Sequence, residues 1–239
     1  MRKKISFLIH SLLNLVFIFS LYLNLFKIMI SIIIDGDKIS LKYYKMGVYM
    51  NCALCPEKEC HNGKDCLKLK EEIKKLYGEH EKSLIKNSAF IEAKYYMKKT
   101  RIEEIILFSK KLNYKKIGMA FCIGLEKESK EIYSIFKEHF KVYTTCCKIC
   151  GIDKTEFELD KIDKTRYEAM CNPIGQASFL NQKKTDLNII IGLCIGHDIL
   201  FTDYSKAPVT TLAVKDRVLA HNPLGAIYSN YYRNKISKK

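Results

Sequence analysis

From residue 113 onward the apolar positions come in short continuous runs separated by longer amphipathic stretches. The runs 116–123 (KIGMAFCI), 141–147 (KVYTTCC), 187–194 (LNIIIGLC) and 208–214 (PVTTLAV) have the length and bulk of strands covered on both faces. Between them, helix is predicted over 125–140, over 173–184 starting at Pro173, and over 197–204, with a closing helix over 223–236. Residues 148–170 fit neither period and read as an irregular excursion. Strand alternating with helix predicts βαβ units, hence a Rossmann-like parallel sheet with helices on both faces, an α/β fold. Upstream, a Lys/Glu-rich helix is predicted near 67–77. A longer helix is predicted over 88–112, with Ala93, Met97, Ile102, Ile105, Ile106 and Leu112 near one face.

The first 45 residues break this pattern. Residues 5–34 are almost wholly apolar and follow Arg2-Lys3-Lys4, long enough to span a bilayer. Asn14, Asn24 and Lys27 interrupt the run, and no small-residue cleavage site follows it. Two readings stand: a membrane anchor, or an over-extended gene start with translation beginning at Met46 or Met50. The organisation expected is an apolar extension over 1–45, a Cys-rich metal-binding module plus helices over 50–112, and a Rossmann-like domain over 113–239. A membrane partner enters only with the anchor reading; otherwise the chain reads as cytoplasmic.

Charge changes the picture little. The formal net charge is +15, and residues 46–239 hold 34 basic against 24 acidic side chains. Such a surface attracts phosphate, RNA or anionic lipid. The excess is Lys-rich and forms no basic helix or aromatic-interleaved stripe, so it reads as surface solubility rather than a nucleic-acid site.

Cysteine changes it more. Ten are present, four of them in Cys52-x2-Cys55-x4-Cys60-x5-Cys66. Two thiolates two residues apart can turn inward on one ion, and two more complete a tetrahedral set. Zinc suits a closed four-thiolate staple, and a [4Fe–4S] cluster takes the same number of ligands. The spacing misses a zinc knuckle by a residue whether Cys60 or His61 is third, which weakens an RNA-binding alternative.

The remaining cysteines fall at predicted strand ends. Cys122 closes the first strand; Cys146 and Cys147 close the second, with Cys150 three residues on. Cys194 ends the third before His197 and Asp198, and Asp216, His221 and Asn222 follow the fourth. In an open parallel sheet these ends line one crevice, so the side chains should converge there with Cys171. Cys147-x-x-Cys150 and Cys194-x-x-His197 have ligand-type spacing, yet a C-x-x-C pair also suits thiol redox chemistry. Singly, such cysteines behave as small core hydrophobes. Cys147, Cys150, Cys194, His197 and His221 are therefore candidates for catalysis or chelation. A small-molecule or redox partner and the oligomeric state stay open. No phosphate-binding glycine fingerprint is present.

The Cys cluster, Ala120-Phe-Cys122-Ile-Gly124-Leu, Cys146-Cys147-Lys, Cys171-Asn-Pro173-Ile-Gly175-Gln176, Gly192-Leu-Cys194-Ile-Gly196-His197-Asp198, Lys215-Asp216-Arg217 and His221-Asn222-Pro223 together resemble an uncharacterised prokaryotic family of metal-binding proteins of unknown function. The resemblance runs from about Cys52 to the C-terminus and implies metal binding, without a substrate or an activity. Chains of that family start just before the first Cys, so residues 1–45 depart from it.

Overall fold

The computed structural model describes residues 51–237. Both expectations for residues 1–45, anchor or late start, lie outside the described residues. Among the described residues, no helix is long and apolar enough to cross a membrane. The chain divides after Tyr77 into two compact units.

In the first unit, residues 51–77, no side chain is buried. A single 3-10 turn, Glu59–Asn62, precedes helix α1 (Lys70–Leu76). Asp65 organises the join by accepting the main-chain N–H groups of Leu69 and Lys70 at 3.3 and 3.0 Å. Those bonds hold its carboxyl below the usual carboxylate range.

The second unit begins with α2 (Glu79–Tyr95) and α3 (Arg101–Lys111). The periodic stretch expected as one helix over 88–112 is thus two. Thr100 opens α3 with a capping box: its hydroxyl accepts the Glu103 N–H, and the Glu103 carboxylate accepts the Thr100 N–H at 2.9 Å. Met97, in the connection, takes a left-handed φ of 55°. A start signal three residues before Glu103 overrides an apolar stripe that runs straight through it.

Four strands follow: β1 (Lys116–Phe121), β2 (Lys141–Cys146), β3 (Leu187–Ile191) and β4 (Val209–Ala213). They form one parallel sheet of order β2-β1-β3-β4. Helix α4 (Glu126–Phe136) joins β1 to β2, α5 (Pro173–Lys183) precedes β3, and α6 (His197–Tyr204) joins β3 to β4. The chain ends in α7 (Gly225–Tyr228) and α8 (Asn230–Ile236), where one closing helix was expected. Ser229 separates them, its hydroxyl capping α8 through the Tyr232 N–H.

Strand alternation sorts the core into two layers. Ile117, Met119, Leu187, Ile189 and Ile191 face Ile105 and Ile106 of α3 and Phe136 of α4. Ala120 and Ile190 face the other way, onto Ala177 and Leu180 of α5 and Phe201 of α6. Both faces are covered by helices, which explains the unbroken apolar runs. Asp186 pins the strand starts together. Its carboxylate accepts the N–H groups of Lys115 and Lys116 at 2.7 and 2.8 Å, and its own N–H donates to Lys116 at 2.8 Å.

The chain moves from β1 outward to β2, then returns to place β3 on the other side of β1. Connections therefore diverge between β1 and β3, and a crevice opens beyond their carboxyl ends.

Candidate functional site

Cys122 leaves β1 at that crevice, its N–H donating to Ile191 of β3 at 3.1 Å. Cys147 leaves β2 alongside, its N–H donating to Phe121 at 2.9 Å. The third member, Cys171, arrives from 24 residues further along the chain. The excursion that carries it is closed by ion pairs and turn hydrogen bonds. Asp153 caps the 3-10 turn Lys154–Phe157 and pairs with Lys161 at 2.9 Å, while Lys154 pairs with Glu168 at 2.8 Å. Hydrogen bonds from Thr155, with Lys161 beside them, hold Asp153 below the usual carboxylate range, and Lys154 does the same for Glu168. Met170 then donates to Ile152, and Asn172 donates to the Cys147 carbonyl, both at 2.8 Å. The loop thus closes on itself and sets Cys171 next to the residue that bonds the Cys147 carbonyl.

The three thiols share one patch of the core: Cys122 and Cys147 lie in the same cluster, Cys171 packs against it, and the Cys147 sulfur accepts the Ile123 N–H at 3.4 Å. Cys122 and Cys147 are buried, at 6% and 2% exposure, whereas Cys171 is half-buried. Contact with two neighbours that favour their charged forms, together with burial, pushes the Cys147 thiol up and keeps it protonated. The donated Cys147 proton, with the Gly124 N–H and the Lys215 ammonium, draws Cys122 down to about 5. For Cys171 the Cys147 and His197 hydrogen bonds and the charge of Lys148 lower it to about 4. His197 is correspondingly raised, its imidazolium held chiefly by Cys171.

Cations surround the thiols. Lys148 Nζ lies 3.6 Å from Cys171 Sγ and donates to the Ala169 carbonyl at 2.6 Å. Lys215 reaches back from beyond β4 to Cys122, its ammonium lying near Gly124 and Gly192. Arg217 donates to Cys194 Sγ at 3.1 Å, a contact that raises the guanidinium further. The nearby carboxylates are engaged elsewhere. Asp198 accepts its neighbour Ile199 N–H, and Asp216 accepts Val218 and Leu219 N–H.

Cys122, Cys147, Cys171 and His197 converge as the strand-end pattern implies. Cys194 stands beside Arg217 at the same sheet end, and its carbonyl accepts the His197 and Asp198 N–H groups. Cys150 does not join Cys147: it is exposed on a left-handed turn with φ 72°. His221 closes a local turn, its Nδ1 accepting the Asp216 N–H at 3.1 Å. Asn222 continues that turn, donating its N–H to Leu219. Cys146, next to Cys147, is half-buried.

Lys148, Lys215 and Arg217 were given no role from sequence, although Cys146-Cys147-Lys148 and Lys215-Asp216-Arg217 stand among the resembling strings. Gln176 was missed as well. It is fully buried, and its Nε2 donates to Thr145 at 2.8 Å and Phe121 at 3.3 Å, tying α5 to the ends of β1 and β2. A glutamine in an otherwise apolar helix face is the signal that could have found it.

In the first unit Cys52, Cys60 and Cys66 are exposed and Cys55 is half-buried. Turns join them: Cys55 donates to Cys52 at 3.4 Å and Gly63 to Cys60 at 3.1 Å. Among the described residues, no group of three or more Cys, His, Asp or Glu is already arranged round a common ion position.

Comparison with known proteins places these residues in context. A family described as "Protein of unknown function (DUF1847)" matches residues 60–212, which span Cys60, Cys66, β1 to β3, all of β4 but Ala213, and the thiol cluster. Uncharacterized protein MJ0455 of Methanocaldococcus jannaschii is 60% identical over 189 residues, covering 78% of this chain and 98% of the relative. The resemblance to an uncharacterised prokaryotic family read from the sequence therefore holds. No solved structure matches.

Proposed function

The chain belongs to the DUF1847 family of proteins of unknown function, and on that footing we propose that it is a metal-binding thiol–disulfide exchange protein. The packing of three thiols, Cys122, Cys147 and Cys171, in one core cluster at the sheet's carboxyl end carries this reading. Exchange needs two thiols within bonding reach and a thiolate to attack, and a ring of cations to hold the thiolate. Lys148, His197 and Lys215 supply that ring.

The metal belongs to the first unit. Residues 51–77 bury no side chain, so they lack the core that would hold a fold of this size together. Four thiols within fifteen residues, already joined by turns, fit zinc as a donor set, with a [4Fe–4S] cluster as the alternative. Cys52, Cys55, Cys60 and Cys66 would hold it. When bound, zinc supplies a four-thiolate staple and no redox chemistry.

The test equilibrates the reduced full-length chain in buffers of rising disulfide-to-thiol ratio, then alkylates and maps it by mass spectrometry. One reversible disulfide within Cys122, Cys147 and Cys171 is expected. If all three stay alkylatable through the most oxidising buffer, the exchange reading fails. Metal content measured on the same preparation, anaerobically, should give about one zinc per chain. Iron with sulfide would replace zinc by a cluster.

A further inference from the structure

The three thiols are not equivalent, and their differences assign an order of events. Resting on the exchange reading above, we infer that Cys171 is the attacking thiol, Cys147 the resolving thiol and His197 the proton donor to the first leaving group, with a negatively charged low-molecular-weight disulfide as substrate.

Access decides the first step. Cys171 is the half-buried member, while Cys122 and Cys147 lie beneath the surface. It also has the densest set of partners that favour a thiolate: the Cys147 thiol, His197 and Lys148. The Cys171 thiolate attacks one sulfur of the substrate RS–SR′. A Cys171–SR bond forms, the S–S bond breaks, and R′S⁻ leaves and takes the proton held by His197.

The second step belongs to Cys147, whose carbonyl accepts the N–H of Asn172, the residue after Cys171, and whose core cluster Cys171 packs against. Cys147 starts as a neutral thiol, which keeps it from competing for substrate. Its proton passes to the Cys122 thiolate of the same core cluster, and the Cys147 sulfur attacks Cys171 Sγ. The Cys147–Cys171 disulfide forms and RS⁻ departs with the proton relayed through Cys122. The substrate disulfide is reduced to RSH and R′SH by the two electrons of the Cys147/Cys171 pair. The two protons come from Cys147 and His197, and Cys122 ends as it began. A buried third thiol thus has a purpose that a two-cysteine site would lack.

Charge decides the substrate. Lys148, Lys215, Arg217 and His197 gather at this end of the sheet and offset the two thiolates together with Asp198 and Asp216, while the chain as a whole carries a formal net charge of +15. A disulfide carrying carboxylates meets net attraction from that excess, and a cationic one meets repulsion.

The test uses the full-length reduced chain with glutathione disulfide as the anionic probe and cystamine as the cationic one, followed by intact mass and peptide mapping. Wild type should pass to a Cys147–Cys171 disulfide without lasting adduct, and react at least tenfold faster with glutathione disulfide than with cystamine. Cys147→Ser should trap one glutathione on Cys171, and Cys147→Ala gives the same readout if the serine variant does not fold. Cys171→Ser should abolish the fast adduct. Cys122→Ser should still form the adduct but resolve it at least tenfold more slowly, and His197→Gln should slow only the first step. An adduct trapped on Cys122, or a Cys122–Cys147 disulfide, would overturn the assignment while leaving the exchange reading intact. Faster reaction with cystamine would overturn the substrate class. Absence of both adduct and disulfide would remove the exchange reading with it.

Discussion

Gln176 donates its side-chain amide to the carbonyl of Thr145 at 2.8 Å, from a helix on one face of the sheet to the last turnless residues of its edge strand. Thr145 lies in β2 and pairs with Ala120 of β1, so the amide adds a bond from the helix layer to the end of the ladder. The same amide reaches Phe121, the residue before Cys122. One side chain therefore sets the spacing of the strand ends that carry Cys122 and Cys147.

Replacing it should be expensive. Gln176→Ala removes two hydrogen bonds and opens a cavity, together about 2–4 kcal/mol. Urea unfolding with an unchanged slope would measure it. A loss below about 0.5 kcal/mol would mean that water replaces the amide without penalty.

Two glycines near the crevice should respond differently to alanine. Gly192 has φ +65°, and an added Cβ would lie 2.1 Å from Cδ1 of Leu125, itself buried and unable to swing away. Left-handed strain of about 1 kcal/mol plus overpacking of about 1–3 kcal/mol predicts a loss of about 2–4 kcal/mol for Gly192→Ala. Gly196 has φ +82° with nothing within 4 Å of the added atom, so Gly196→Ala should cost only the backbone strain, about 1 kcal/mol. Thermal melts of the two variants compare them directly. Equal losses would show that the contact with Leu125 relaxes freely.

The reactivity of Cys171 should depend little on pH near neutrality. An ordinary thiol loses nearly 100-fold of its thiolate between pH 8 and pH 6. Cys171, lowered to about 4 by Cys147, His197 and Lys148, stays ionised across that window, and its thiolate is lost only as pH falls through the folded value. Its iodoacetamide rate, followed by peptide mapping, should therefore change less than threefold from pH 8 to pH 6. His197→Gln should restore part of the ordinary slope. A slope in wild type equal to that of free glutathione would show that the thiol is not held as a thiolate.

If residues 51–77 hold the proposed ion, its removal should unfold that segment and leave the sheet folded. Residues 51–77 have no buried side chain, whereas the sheet has a two-layer core independent of them. Chelation of the full chain should expose protease sites within residues 51–77 and leave those within 78–237 protected. Limited proteolysis read by mass spectrometry distinguishes the outcomes. An unchanged pattern after measured loss of the ion would mean that it does not staple this segment.

Much of the architecture was legible in the residues themselves. Runs such as Asn188–Ile191 can be buried on two faces only in a helix-covered parallel sheet, so the α/β class follows from local composition. Cys122, Cys147 and Cys194 belong at carboxyl ends because each directly follows such a run. The breaks at Thr100 and Ser229 were also written locally, as capping residues, but an apolar stripe crossing them hid the signal.

What only the tertiary structure decided is which side chains meet. The spacing of Cys147 and Cys150 points to a local pair, yet Cys150 takes a left-handed turn outward, and Cys171 takes the neighbouring place. That exchange depends on Asp153, Lys154, Lys161 and Glu168 closing the excursion, and their pairing is set by three-dimensional distance rather than by any period in the chain. Strand order is likewise invisible to local pattern, because each βα unit can pack on either side of β1 with the same residues. Sequence determines the chemistry available at each strand end; the return of the chain across β1, and the loop that carries Cys171 back, determine which of it converges.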